Sequence, residues 1–224
     1  MIKINSCGIC VLVSLFILSC SLAPFSELHI AIERGSEADI IQIINDKPYL
    51  IKRVDEDNKT PLHWAIERDL TKIASLLIDK GSPVNSRDKY GNTALSEAVR
   101  YENLEVCTKL ILKGADVNAS TKGAFTPLHN ACCSANIKLV KLLVDNKANI
   151  NSLDYLGRTP LNLMLQNSTA GEPQLLPIVK YLLEKGTDFS LKDNKGRTAL
   201  SVSKNKNYMT IVKLLESASI NNLK

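Results

Sequence analysis

Thr60-Pro-Leu-His-Trp-Ala65 decides the fold, because the chain repeats it. The phrase returns as Thr93-Ala-Leu-Ser-Glu-Ala98, Thr126-Pro-Leu-His-Asn-Ala131, Thr159-Pro-Leu-Asn-Leu-Met164 and Thr198-Ala-Leu-Ser-Val-Ser203. The five threonines are 33, 33, 33 and 39 residues apart, and Ser26-Glu-Leu-His-Ile-Ala31 is a sixth copy 34 residues before Thr60. A second phrase follows, as Ile73-Ala-Ser-Leu-Leu77, Val106-Cys-Thr-Lys-Leu110, Leu139-Val-Lys-Leu-Leu143, Ile178-Val-Lys-Tyr-Leu182 and Ile211-Val-Lys-Leu-Leu215. A period of this size marks stacked units.

Each unit can be built from local rules. The Thr caps a helix N-terminus. Pro in the next position has its φ pre-set and lacks an N–H that would be unpaired anyway. The spacing predicts a first helix over about Pro61–Arg68 and a second over about Thr71–Asp79. The second places Ile73, Leu76 and Leu77 on one face. Gly81 and Gly114 sit where a helix C-cap needs φ > 0. Asp88-Lys-Tyr-Gly91-Asn and Asp154-Tyr-Leu-Gly157-Arg read as turns. A helix pair this small cannot bury both apolar faces alone, so the fold is predicted as an all-α solenoid of about six stacked repeats. Lys147 and Ser219 stand where the capping glycine is expected, and Ala124 where the turn glycine is, each at a cost of about 1 kcal/mol. The extra residues near Asn167–Pro173 predict a loose loop. The polar Lys204-Asn-Lys-Asn207 suits a terminal capping repeat.

The period of 33, the T-P-L-H-x-A phrase, the paired leucines and Gly114-Ala-Asp-Val-Asn118 occur in order. In these features the chain resembles the ankyrin repeat family over about residues 24–219. The resemblance implies a helix-turn-helix solenoid with hairpin-like tips. It also implies a protein-binding role, with contacts from the tips and the exposed side of the first helices.

The first twenty residues stand outside the repeats. Lys3 precedes an almost unbroken apolar run from Ile9 to Leu18. That run is too short to span a bilayer and fits the centre of a signal peptide. It ends Ile17-Leu18-Ser19-Cys20, which resembles a bacterial lipobox with Cys20 as the lipidated first residue of the mature chain. Leu18 is bulkier than the usual residue there and Ile17 replaces the preferred Leu. A rival cut after Ala23 would place Pro24 beside the scissile bond. The reading is therefore a signal peptide over 1–20 and a repeat domain over 21–224, with repeats opening near Ser26, Thr60, Thr93, Thr126, Thr159 and Thr198. It implies export to the cell envelope, periplasmic or at the surface, with lipid as the only membrane contact. Secretion as an effector acting on foreign proteins is the alternative.

Candidate chemistry is sparse. His29, His63 and His129 all occupy the fourth position of the repeated phrase, which explains them without a metal; the resemblance gives them hydrogen bonds to backbone and to the neighbouring Thr. Cys107 falls in a column with Ala74, Val140 and Val212, and Cys132 in one with Ile66, Val99 and Leu165, so both read as small core residues. Cys133 falls on the exposed side of its helix, yet no His or Asp is fixed near it to activate a thiol. Asp55-Glu56-Asp57 reads as a solvated turn. No phosphate-binding Gly-rich loop and no Gly-x-Ser-x-Gly elbow occurs. No enzyme activity, cofactor or metal is expected. The net charge is +5, and from Gln174 to Lys224 nine Lys/Arg face four Asp/Glu. Such a spread-out excess is not the dense basic patch of a nucleic-acid binder, and none is expected as a partner.

What remains is recognition of a protein, by a chain acting as a monomer. Mapped by register, the surface positions are Glu56, Asp57, Lys59, Glu67 and Arg68 in the second repeat and Lys89, Tyr90, Asn92, Arg100 and Tyr101 in the third. The fourth gives Lys122, Phe125, Cys133 and Ser134, and the fifth Tyr155, Leu156, Arg158 and Gln166. The sixth gives Asn194, Lys195, Arg197 and Lys206. Aromatics are 5% of the chain, yet four fall among these positions, all in the middle repeats. Interface hot spots favour Tyr and Arg near the centre of a contact. The expected partner surface is centred on Tyr90, Tyr101, Arg100, Phe125, Tyr155 and Leu156, within Lys89, Asn92 and Lys122, and flanked by a basic Arg158, Lys195 and Arg197.

Overall fold

The computed structural model describes residues 26–221. The expected signal peptide over 1–20 and its Cys20 lie outside them. Among the described residues twelve α-helices form six pairs: α1 (Glu27–Arg34) with α2 (Glu37–Asp46), α3 (Pro61–Glu67) with α4 (Thr71–Asp79), α5 (Ala94–Arg100) with α6 (Leu104–Leu112), α7 (Pro127–Cys133) with α8 (Ile137–Asp145), α9 (Pro160–Asn167) with α10 (Glu172–Glu184), and α11 (Ala199–Asn205) with α12 (Met209–Asn221). A 3₁₀ turn, Pro48–Lys52, joins the first two repeats. Among the described residues there is no β-strand, only an isolated bridge between Arg87 and Thr93, and no helix is long and apolar enough to cross a membrane.

The caps are those the phrase predicts. Thr60, Thr93, Thr126, Thr159 and Thr198 are extended, and each side-chain oxygen accepts the N–H three residues on. First helices pack on first helices of neighbouring repeats, and second on second. Leu62, Leu95, Leu128 and Leu161 are each 0% exposed and line up from repeat to repeat, as do Leu77, Leu110, Leu143, Leu182 and Leu215 on the second layer. The core is therefore one continuous apolar slab from Leu28 to Leu215. Each repeat contributes half of two interfaces, so no repeat has a core of its own.

The backbone keeps the expected geometry at two substituted glycine positions and departs from expectation in three other respects. Lys147 does adopt the left-handed conformation of the capping glycines, at φ 69°, and Ala124 that of the turn glycine, at φ 59°. Ser219, by contrast, needs no such geometry, because α12 runs through it to Asn221. The extra residues of the fifth repeat are not merely a loop. Only Ser168–Gly171 separate the helices, and Glu172 and Pro173 form the first turn of α10, which has 13 residues where α4, α6 and α8 have nine. An acidic residue and a Pro at the start of an apolar run are helix-start signals, and here they outweigh the loop-like composition. Glu172 also reaches the last repeat: its Oε1 accepts the Ile211 N–H of α12 at 2.7 Å. Finally, the two helices of most repeats are joined by a left-handed residue that was not anticipated, Gly35, Asp69, Glu102, Ala135 or Asn207.

Candidate functional site

Each pair of repeats is joined by a short tip that precedes a first helix. Four tips are built alike. Asp55, Asp88, Asp154 and Asp193 open them, and all four are buried, at 5–8% exposure. Asp55, expected in solvent, is thus a structural hub. In each tip one carboxylate oxygen accepts the N–H groups two and four residues on, at 2.8–2.9 Å. The other oxygen takes a side chain: the Trp64 indole N–H, the Asn92 amide, the Arg158 Nε–H or the Arg197 Nε–H, each at 2.7–2.8 Å. The tip of the fourth repeat has Thr121 instead, whose Oγ1 accepts only the Phe125 N–H, at 3.3 Å.

The tips are also joined to one another. Lys89 N–H donates to the Asp57 carbonyl, Lys122 to Tyr90, Tyr155 to Gly123 and Asn194 to Leu156, at 2.7–3.2 Å. This approach explains two turn glycines. A Cβ at Gly157, besides its φ of 70°, would meet Asn194 Oδ1 at 2.5 Å, and one at Gly91 would meet Lys122 N at 3.1 Å.

On this frame Tyr90 and Tyr155 stand 57% and 62% exposed at the tips, and Tyr101 44% exposed at the end of α5. Phe125 is half-buried between His129 and Tyr155, with ring centroids 5.7 and 6.2 Å away. Leu156 is half-buried, and Lys122 and Lys195 are exposed. Lys89 pairs with Asp57 at 2.6 Å, and its ammonium lies 5.0 Å from the Tyr90 ring. Arg100 holds Glu97 through Nε at 2.9 Å and stacks on Tyr101. Burial pushes the Glu97 carboxyl up, more than Arg100 pulls it down. Two members of the expected basic flank are engaged inside the fold. Arg158 is only 6% exposed, drawn in by Asp154. Arg197 is partly open and donates to Gln166 Oε1 at 2.7 Å as well as to Asp193. Burial raises the Asp193 carboxyl, but the donors from Arg197, Lys195 and Gln166 outweigh it and bring its pKa down to about 2.

The histidines have a common structural task. His63 Nδ1 and His129 Nδ1 lie 2.8 and 2.9 Å from the capping Thr oxygen, and both close the cap box by accepting the Thr N–H. The other ring nitrogen faces the next repeat: His29 Nε2 meets the Lys59 carbonyl at 3.1 Å and His129 Nε2 the Arg158 carbonyl at 3.0 Å. His63 Nε2 faces the equivalent Asn92 carbonyl without completing a hydrogen bond. Burial pushes all three rings below their usual pKa. Cys107 and Cys132 are buried free thiols in the expected core columns. Burial raises Cys107 to about 12 and moves Cys132 and Cys133 the same way. Such thiols stay protonated and make poor nucleophiles. Cys133 is half-buried, less open than its register implies. Among the described residues no group of three or more His, Cys, Asp or Glu converges as a metal site.

A profile of ankyrin repeats in three copies matches residues 28–121 and again 110–193. The chain belongs to the ankyrin repeat family. The crystal structure of an ankyrin repeat protein, EF0377, superimposes with a TM-score of 0.77 at 29% identity, covering 84% of this chain and 96% of that one. No curated relative matches the chain. Ankyrin repeats are protein–protein interaction modules, typically without enzymatic activity.

Sequence reasoning missed the tip aspartates as anchors, although Asp opens four of the five tips. It also missed an asparagine series at the far end of the helices. Asn85, Asn118 and Asn151 accept the Asp116, Asn149 and Asp188 N–H groups of the following repeat at 2.7–2.8 Å. Their recurrence near each G-A-D-V-N phrase was the available signal.

The buried neutral histidines predict a pH dependence. Their folded pKa values lie below the unfolded value near 6.5, so below that pH the unfolded chain binds more protons and stability falls as pH falls. Each ring contributes up to about 1.4 kcal/mol per pH unit. Glu97, with its raised pKa, acts in the opposite sense, so the comparison is made against a variant. Urea denaturation at pH 7.5 and 5.5 is expected to show a smaller loss for His129→Asn, the residue used at Asn162, than for the wild type. Equal losses would contradict a neutral buried His129.

Proposed function

We propose that this chain is a non-enzymatic protein-binding module whose partner lies across the tips and first helices of the third to fifth repeats. The observation that carries this reading is the placement of Tyr90 and Tyr155 more than half exposed on tips tied by hydrogen bonds to a buried aspartate and to neighbouring tips. Tyrosines have few rotors to freeze and contribute contact area at low entropic cost. A rigid platform also reduces the ordering cost of association. Phe125 lies between them, and Tyr101 and Arg100 lie behind on α5. The exposed cations Lys122 and Lys195 and the partly open Arg197 favour a partner with an acidic patch. The module acts as a monomer.

We further propose export and anchoring through lipid on Cys20. Five residues, Ser21 to Phe25, would separate that Cys from the first repeat. At about 3.5 Å per residue the tether reaches less than about 20 Å, so envelope proteins in the same compartment are the natural partners. A secreted effector is the second reading, favoured if the leader is cut away from Cys20.

Crosslinking in the native cell identifies the partner. Tyr90→Ala or Tyr155→Ala is then expected to weaken binding by about 2 kcal/mol or more, mainly through faster dissociation. If neither changes affinity, the partner sits elsewhere on the solenoid.

Mass spectrometry of the native protein is expected to find an acylated Cys20 at the amino terminus, and Cys20→Ser to move the protein to the soluble fraction, because stable anchoring takes two or more chains of lipid. A free amino terminus at Met1, Ser21 or Pro24 would overturn the anchor.

A further inference from the structure

Between the tips of the fifth and sixth repeats the binding face opens into a cleft of about 290 Å³. Its walls are Leu156, Arg158, Gln166, Asn167, Lys195 and Arg197. The charges here can be counted group by group. Asp193 also borders the cleft, but its acceptors are engaged: Oδ1 by the Lys195 and Arg197 N–H groups, Oδ2 by Arg197 Nε and by Gln166 Nε2 at 3.1 Å. Asp154 behind Arg158 accepts the Leu156 and Arg158 N–H groups on one oxygen and Arg158 Nε on the other. Each buried aspartate is thus balanced by one arginine, and Lys195 is the surplus cation.

The donors are not balanced. A guanidinium carries five N–H bonds. Arg158 is 94% buried by its 6% exposure, yet among the described residues only its Nε–H donates, to Asp154 at 2.8 Å. Its Cζ lies 6.0 Å from the Phe125 ring centroid, and among the described residues neither Nη group makes a hydrogen bond. Arg197 uses Nε and one Nη, leaving its second Nη free. The free Nη groups are not sealed from water, so a ligand in the cleft can reach them, and a charge-assisted bond there is the stronger kind. The acceptor that matches such forks is a planar carboxylate.

We infer that this cleft is a subsite for a carboxylate of the protein partner, which lies against Leu156, accepts from the free Nη groups of Arg158 and Arg197, and is closed over by Lys195. The inference rests on the reading of the tip face as the partner surface, and it specifies what that partner presents at the sixth-repeat end: an acidic residue, or a free C-terminus, next to an apolar one.

The test needs no knowledge of the partner. The full chain is titrated, with NMR detection, with three probes: acetyl-Leu-Glu-amide, acetyl-Leu-Leu with a free carboxyl terminus, and acetyl-Leu-Gln-amide. At least one carboxylate probe is expected to move the Gly157, Asn194 and Lys195 amide signals and the Arg158 and Arg197 Nε–H signals, saturating in the millimolar range. Which one does so separates a side-chain from a terminal carboxylate. The glutamine probe is expected to move none. Lys195→Glu, on an exposed side chain, is expected to weaken binding at least about tenfold. Asp154→Asn combined with Arg158→Gln removes the pair together, leaves no unpaired buried charge, and is expected to abolish the shifts. Shifts from neither carboxylate probe, equal shifts from the glutamine probe, or titrations unchanged in both variants would overturn the subsite. Failure here with Tyr90→Ala and Tyr155→Ala still weakening the crosslinked partner removes this subsite alone. Failure of the tyrosine variants with the probes still binding removes the partner face and leaves a carboxylate pocket.

Discussion

Each regular tip of this solenoid depends on one buried carboxylate. An ionised aspartate out of water costs several kcal/mol unless its lone pairs are met. Asp55, Asp88, Asp154 and Asp193 meet theirs with two backbone N–H groups and a side chain from the same tip or helix. This loop conformation aims two backbone N–H groups at one oxygen, so the buried carboxylate favours it. The exposed side chains of the tip inherit that order. The tip of the fourth repeat lacks the carboxylate and carries a non-glycine residue, Ala124, in the left-handed region. Its place in the row is kept by neighbours: Lys122 N–H bonds to the tip of the third repeat and Gly123 O accepts from that of the fifth.

The same economy links repeats. A histidine reaches from beside its own helix's N-cap to the carbonyl just before the next capping threonine, in the first and fourth repeats. Asparagines perform the matching task beyond the second helices. Between these two seams runs the apolar slab. The polar seams hold register and the slab supplies the bulk of the stabilisation, since burying a leucine removes far more free energy than one neutral hydrogen bond.

How much of this was legible in the sequence follows from how local each signal is. Caps, helix lengths and the core columns depend on residues a few positions apart, and the repeated phrase displays them six times. The placement of Lys147 in a left-handed cap was readable because register carries backbone geometry across repeats. Exposure is not carried the same way. Arg158 occupies the register of Lys59, Asn92 and Arg197, yet it is withdrawn where Arg197 is partly open, although Asp154 and Asp193 are equally buried. The Asn167–Pro173 segment was misread because polar composition was weighed above Glu172 and Pro173 as helix-start residues. Asp55 was read as solvated because a run of three acids suggests solvent, whereas its neighbours' N–H groups surround it.

The central claim is that buried aspartates, not the helices alone, hold the tips rigid. Amide hydrogen exchange measures this directly. The account predicts that the Asn92, Arg158 and Arg197 N–H groups, bonded to their aspartates, exchange as slowly as amides within the first helices, and that Phe125 N–H, held only by Thr121, exchanges faster. Exchange of Arg158 and Arg197 N–H at the rate of an open loop, or no difference between them and Phe125, would contradict it.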